Sequence, residues 1–409
     1  MLQKKILIIG AGASGVFCAL QLIEQGIDGS QILILEKGSR PLRKVKVSGG
    51  GRCNVTHQEL ELQEFLEHYP RGRKELKALF IKFSSKEMMN WLKANNVEVH
   101  TEKDGRVFPL SNDSQSIIDC FLDKLKSSNV EILYNQNIRK IVKDSEAYTL
   151  ETDSSNLQCT NLVFATGSSQ SAFNHMQKLN LKLKERHPSL FSFKIKNNPF
   201  KDLSGLSLNS AKIAFEKFRS QGALLFTHEG ISGPAVLKLS SFAAIELAQH
   251  EYKFNISIDL VTACNQEKIY QILWEQKNEH SNKKIKNNNP FSEIPSRLWE
   301  HILHKVHINP DATNQGLSKK DLQNLSQLLK KYPLEIYGKS TNKEEFVSCG
   351  GIDLNEINFK SMESKEHQGL YCIGEALNID AVTGGFNFQA CWSTAHRAAQ
   401  GISIKLKEA

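Results

Sequence analysis

Gly10-Ala11-Gly12-Ala13-Ser14-Gly15 sets three glycines at a spacing that lets a backbone approach a phosphate closely. Ile6-Leu7-Ile8-Ile9 precedes it, a fully apolar β-branched run of the kind that forms a parallel strand covered on both faces. A helical pattern follows from Ser14 to about Gln25, and a second apolar run, Ile32–Leu35, ends in Glu36 and Lys37. In such a strand–helix–strand unit Gly10 makes the tight turn, Gly12 admits a pyrophosphate and Gly15 lets helix pack on strand. The helix N-terminus offers its unpaired N–H groups and positive dipole end to the phosphates. Glu36 stands 21 residues beyond Gly15, where a carboxylate accepts hydrogen bonds from a ribose diol and repels a 2′-phosphate. The unit therefore predicts a dinucleotide site. Behind Lys4–Lys5 the same stretch imitates a secretory signal, but its glycines and the second strand argue against that reading.

Three further segments point to a flavin dinucleotide. Arg43–Thr56 carries Lys46, Ser48-Gly49-Gly50-Gly51-Arg52-Cys53-Asn54, bare backbone N–H groups beside several cations, flanked by Val45, Val47 and Val55. Leu162-Val163-Phe164-Ala165 reads as a buried strand ending in the small turn Thr166-Gly167. Near the C-terminus Gly369–Glu375 forms a strand ending in Gly374-Glu375, followed by Asp380 and Thr383-Gly384-Gly385-Phe386-Asn387. A helix with Phe388, Cys391, Trp392, Ala395, Ala398 and Ala399 on its apolar stripe comes next, with Gly401 expected to close it. Its dipole would face the flavin pyrimidine, where negative charge develops on reduction.

These segments need a scaffold, and the composition supplies one. The 409 residues predict two to three domains at ~150 residues each. Apolar and charged fractions of 40% and 23% are those of a globular chain and exclude a collagenous or wholly disordered one. A net charge of +8 permits an anionic ligand without arguing for nucleic acid. Eight dispersed cysteines without metal spacing read as reduced residues of a cytoplasmic protein, and no metal site is expected. No apolar run is long enough to span a membrane, so no membrane partner is expected. Ser111–Ser127 reads as a helix; Val130–Tyr134, Ile138–Val142 and Ala147–Glu151 read as strands, Ile138 being a further cofactor candidate.

The Rossmann pattern stops at His187-Pro188. This divides the chain into residues 1–187 and 346–409 as two parts of a cofactor domain, 188–262 with 332–345 as a β-rich insert, and 263–331 as a helical subdomain. In the insert, Leu190–Ile195, Leu206–Ala214, Ala223–Thr227 and Tyr252–Leu260 read as strands and Pro234–Ala248 as a helix, with extended structure over Glu335–Cys349. Lys277, Lys283, Lys284 and Lys286 read as a solvated charged stretch, because no aromatic residues are interleaved with them.

Catalytic candidates are fewer. His228 could face a substrate or merely satisfy its turn. Cys53, beside Arg52, could be an activated thiolate or a small residue packed near the flavin. Arg106 could bind an anion or pair with Glu102 and Asp104.

The ordered motifs Gly10–Glu36, Lys46–Thr56, Gly105-Arg106-Val107-Phe108-Pro109, Thr227–Pro234, Cys349-Gly350-Gly351 and Gly369–Gly385 resemble the BaiN-like or YhiN-like (aminoacetone oxidase) family of bacterial flavoproteins over nearly the whole chain. The resemblance implies an α/β fold, a split glutathione-reductase-type FAD domain interrupted by a β-barrel-like and helical insert. It places Gly10, Gly12, Gly15, Glu36, Gly50, Asn54, Gly374, Glu375, Gly385 and Asn387 on FAD-contacting motifs, with Glu375 where many two-domain flavoproteins carry Asp. The expected activity is FAD-dependent electron transfer to or from a small organic substrate. With no second G-x-G-x-x-G, NAD(P)H would dock directly over the flavin as a transient donor. The alternative is a flavin-dependent enzyme that modifies or binds RNA.

Overall fold

The computed structural model describes residues 2–144, 146–340 and 347–408. The chain divides into two compact units, residues 1–186 with 347–409, and residues 187–346.

The first unit is built on a parallel sheet. Strand β1 (Leu2–Ile9) lies between β2 (Ile32–Leu35) and β4 (Asn156–Phe164). Outside β2 runs β3 (Glu131–Leu133), and outside β4 runs β5 (Leu370–Cys372). Ile6, Leu7, Ile8, Leu33 and Ile34 are all 0% exposed, which is why these strands are continuous apolar runs and not alternating ones. Parallel neighbours require a crossover, and between β1 and β2 it is helix α1 (Ala13–Glu24). The C-terminal helix α2 (Phe386–Glu408) packs along α1, and Phe17 of α1 touches the ring of Trp392 at 5.2 Å. Because β5 joins the sheet beside β4, residues more than three hundred positions from the first glycine turn arrive next to it.

Several boundaries differ from the sequence reading. Strand β4 begins at Asn156 and not at Leu162; its first half pairs antiparallel with Tyr148–Thr152 and alternates polar with apolar residues, which masked it. The helix expected from Ser111 starts at Gln115, since Ser111–Ser114 form the preceding turn. Gly401 does not close the last helix, which continues to Glu408. Its role is contact: a Cβ there would sit 2.6 Å from the Ser361 carbonyl oxygen. Residues 57–104, on which the sequence was nearly silent, supply helices Leu62–Leu66, Arg73–Phe80 and Ser85–Ala94 and the short strand Val99–Thr101.

In the second unit six strands close a barrel in the order Phe193–Ile195, Gly230–Ser232, Phe218–Phe226, Ser207–Phe215, Phe254–Asp259 and Tyr332–Lys339. Phe254, Ile256 and Ile258 point inward while their neighbours face out, the period-two pattern of a one-sided strand. Helices Gln266–Glu279, Ser296–Lys305 and Lys319–Lys330 share one apolar core with the barrel, from Ile213 and Phe254 to Trp299 and Leu322. The expected helix Pro234–Ala248 is two, Pro234–Phe242 and Ala244–Gln249, broken at Ala243. Of the extended stretch expected over Glu335–Cys349, residues 341–346 lie outside the described residues.

Candidate flavin site

Four of the predicted segments meet in the first unit at the ends of the parallel strands. Gly10 turns at φ +106°, and a Cβ on it would lie 2.5 Å from the Ala165 carbonyl oxygen. A Cβ on Gly15 would lie 2.0 Å from the Gly10 carbonyl oxygen, so glycine is what allows α1 to start this close to β1 and β4. Gly12 differs: its Cβ would meet nothing within 4 Å. No side chain caps α1, and no acidic residue sits in its first turn. The result is an open, electropositive cradle with the chemistry of an anion site.

Glu36 closes one side of it. Its carboxylate accepts from Ala11 N–H at 2.9 Å and from Gly38 N–H at 2.7 Å, which fixes its orientation and holds the turn. Lys37 reaches Ser171 Oγ at 3.4 Å, and Ile138 accepts from the imidazole of His175 at 2.9 Å. Burial lowers the pKa of that imidazole, more than the carbonyl of Ile138 restores it. Thr166 and Gly167 lie beside the Gly10 turn and Glu375 respectively. Thr166 Oγ1 is buried without a partner, and so is one guanidinium nitrogen of Arg186, whose other terminal nitrogen donates to the Gly167 carbonyl at 3.2 Å.

The late segment faces the cradle. Gly374 is so close to α1 that a Cβ would lie 2.6 Å from Ser14 Oγ. Glu375 forms a 2.7 Å ion pair with Lys44, a residue the sequence reading did not single out. Asn387 locks its own turn: its amide oxygen accepts from Ala381 N–H at 2.9 Å, and its amide nitrogen donates to the Ala381 carbonyl at 2.9 Å. Asp380 is fully buried and held by a bidentate ion pair with Arg71, also unanticipated. The ring of Phe386, the first residue of α2, packs against the imidazoles of His68 at 4.0 Å and His57 at 4.7 Å, themselves 6.1 Å apart, and its carbonyl accepts from Tyr69 Oη at 2.6 Å. Gly384 lies against that ring.

The Lys46–Asn54 segment folds as the helical turn Arg43–Val47 followed by a tighter turn over Ser48–Gly51, with Gly49 and Gly50 at φ +58° and +69°. Around Gly50 and Gly51 an added Cβ would again find open space. Lys46 pairs with Asp113 at 3.5 Å and Ser48 Oγ donates to the Val45 carbonyl at 2.8 Å. Oriented by its neighbours, the Asn54 amide donates to the Thr56 carbonyl at 2.9 Å and accepts from Gly385 N–H at 2.9 Å. That bond ties the glycine turn to the N-terminus of α2. Only a resemblance could have linked Asn54 to Gly385; Arg71, Tyr69 and the two histidines carried no motif at all.

For Cys53 and Arg106 the geometry favours the structural alternative of the two left open by the sequence. Cys53 is not an activated thiolate: it is 0% exposed, and burial pushes its pKa up to about 12. Accordingly, iodoacetamide at pH 8 is expected to leave Cys53 unmodified in the native protein and to label it after denaturation, read by peptide mass spectrometry; native labelling would restore the thiolate. Arg106 is engaged by Glu102 and Asp104, each at 2.8 Å, and Glu102 also holds Arg52 at 2.7 Å. Arg52 lies over the Phe108 ring at 4.0 Å. His228 belongs to the other unit, exposed, with its carbonyl accepting from the Asn198 amide at 3.0 Å.

The residues fit FAD. The open cradle at Gly12, the open turn at Gly50–Gly51, the uncapped α1 and the unpartnered Thr166 hydroxyl are groups that await a phosphate-bearing ligand. Fold and site define the class, a flavoprotein oxidoreductase with a Rossmann-type FAD-binding fold and a six-stranded barrel. More narrowly, the chain belongs to the HI0933-like family, whose model, described as an HI0933-like protein Rossmann domain, matches residues 4–401. It is 30% identical to a ribosomal RNA dihydrouridine synthase of Escherichia coli K12 over 97% of both chains. It is 23% identical to a 3-dehydro-bile acid delta(4,6)-reductase of Clostridium scindens, covering 98% of this chain and 99% of that one. In fold it is similar to a 3-ketosteroid delta1-dehydrogenase of Sterolibacterium denitrificans, with a TM-score of 0.53 at 11% identity, over 99% of this chain and 100% of that one. Among the described residues no helix is long and apolar enough to cross a membrane, and no side-chain group could hold a metal ion.

Proposed function

We propose that this chain is a FAD-dependent reductase of an activated carbon–carbon double bond, and that its substrate is uridine in ribosomal RNA. The observation that carries this reading is the 30% identity to the ribosomal RNA dihydrouridine synthase over 97% of both chains, the second unit included. The C5=C6 bond of uracil is conjugated to the C4 carbonyl, so hydride addition at C6 and protonation at C5 saturate it. The double bond of a 3-oxo bile acid is activated in the same way. Small-molecule reduction is therefore the second reading, favoured by the bile acid reductase relative.

When bound, FAD supplies a two-electron carrier that accepts hydride from a donor and passes it to the substrate. NAD(P)H is the proposed donor. Gly10–Gly15, Glu36, Lys37 and Ile138 would hold the adenosine diphosphate half; Glu375, Gly385 and the Ser48–Asn54 turn would hold the flavin half. The N-terminus of α2, fixed by the Asn54–Gly385 bond, would stabilise negative charge on the reduced ring. Buried Phe386, packed against the imidazoles of His57 and His68, helps exclude water there.

The test is complementation. Ribosomal RNA from an Escherichia coli strain lacking its own ribosomal RNA dihydrouridine synthase is digested to nucleosides and weighed. Expression of this chain is expected to restore a nucleoside two hydrogens heavier than uridine. Failure to restore it, with NAD(P)H-dependent reduction of a 3-oxo-4,6-diene steroid by the purified protein, would move the assignment to the second reading.

A further inference from the structure

The second unit carries a surface that the cofactor chemistry does not use. It lies on the paired helices Gln266–Glu279 and Lys319–Lys330. They run antiparallel: Gln266 and Lys330 line one groove, while Lys319 at the start of the second helix sits over Trp274, two turns along the first.

The groove, about 640 Å³, is lined by Lys212, Arg219, Lys330 and Lys331, and no carboxylate lines it among the described residues. Lys330 is partly neutralised by Asp259 at 2.6 Å, while Lys212, Arg219 and Lys331 are exposed. Charge is concentrated in this unit as a whole: 21 Lys and Arg against 16 Asp and Glu leave residues 187–346 at +5 of the chain's +8. Farther along the helix pair, Tyr270 and Trp274 are half-buried with their rings stacked at 6.5 Å and 18°. Lys277 and Lys319 lie over Trp274 at 5.8 and 5.9 Å. The sequence reading saw no aromatic residues among the lysines. Folding supplies them, by placing Lys319 on a ring 45 positions away in the chain.

Cations in excess of carboxylates suit a phosphate backbone, and flat rings flanked by cations suit stacked bases. Eight residues of helix separate Gln266 from Trp274, about 12 Å at 1.5 Å per residue, within the several nucleotides that a single-strand site spans. We infer that this helix pair and its groove are a docking surface for single-stranded RNA, with Tyr270 and Trp274 stacking bases and Lys212, Arg219 and Lys331 pairing phosphates. The inference rests on the RNA reading above and names where that substrate is held.

The test uses the flavin-loaded protein and a fluorescein-labelled, uridine-rich single-stranded RNA of about twelve nucleotides, read by fluorescence anisotropy across a salt series. Tyr270→Ala and Trp274→Ala are each expected to weaken binding about tenfold, and Trp274→Phe to recover most of it. Because Trp274 touches the core, a fold-neutral variant accompanies it: Lys212→Ala/Arg219→Ala/Lys331→Ala should flatten the salt slope by about two units with flavin content and melting temperature unchanged. Wild-type protein that fails to bind the probe, or variants with unchanged affinity and slope, would overturn the surface. So would a preference for polyglutamate over RNA at the same lysines, which would indicate an acidic protein partner. The complementation assay stays separate: no dihydrouridine from wild type defeats the RNA reading, whereas dihydrouridine from variants of unaltered affinity defeats only the surface.

Discussion

Replacing Gly12 by alanine is expected to yield a folded protein that binds flavin much more weakly. Gly12 has φ −84° and ψ −170°, extended backbone that alanine adopts freely, and its new methyl would touch no protein atom within 4 Å. The protein alone therefore loses little, a shift in apo-protein melting temperature of no more than about 2 °C. The methyl would occupy the space left for the pyrophosphate, and overpacking of that kind costs about 1–3 kcal/mol, which weakens FAD binding about five- to 150-fold. Gly15→Ala is the contrasting case. Its Cβ would lie 2.0 Å from the Gly10 carbonyl oxygen, and Gly10 is itself pressed against Ala165. With backbone on both sides nothing can yield, and the unit should lose about 3 kcal/mol or more before any ligand is considered. Flavin absorbance together with apo-protein melting separates the two. A Gly12→Ala protein that stays yellow with wild-type affinity would remove the cradle from the cofactor site.

The contrast shows what kind of information the sequence held. The strand, glycine turn, helix and acid of residues 6–36 were readable because each is dictated locally: apolar runs that the sheet covers on both faces, glycines that admit close approach, and a carboxylate at a fixed interval. The late strand and Gly384-Gly385 turn were readable for the same reason. Pairing across the chain was not. Lys44 with Glu375 and Thr56 with Gln389 join residues over three hundred positions apart through ordinary polar side chains, at 2.7 Å each, and no spacing rule announces them. Gly401 shows the converse error. A glycine near a chain end resembled a helix stop, but tertiary contact with Ser361 explains it.

At Cys53 the sequence left two readings open. Adjacency to Arg52 suggested an electropositive thiol, yet Arg52 is turned onto Phe108 and Glu102 while the sulfur is sealed in the core. Burial outweighs a neighbouring charge whose field is already spent on a carboxylate.

Arg71→Met is expected to be among the most damaging single changes outside the glycine turns. Asp380 is 0% exposed, and the guanidinium of Arg71, 12% exposed, meets both of its carboxylate oxygens. Removing one member of such a pair abandons a buried charge in a medium that solvates it poorly, at a cost of about 3–5 kcal/mol. Lysine should recover only part of it, since an ammonium cannot match two oxygens at once. The double variant Arg71→Met/Asp380→Leu should be milder than Arg71→Met alone, because it removes the charge that was left behind. The effect should extend to the cofactor. Asp380 opens the turn that Asn387 locks through Ala381, and this turn sets the N-terminus of α2 opposite Asn54. Urea unfolding of the apo protein would measure the first effect and flavin titration the second. If Arg71→Met matched wild type in both, the ion pair would have no part in holding that turn, and the position of α2 would have to come from its other contacts, among them the Tyr69–Phe386, Asn54–Gly385 and Thr56–Gln389 bonds.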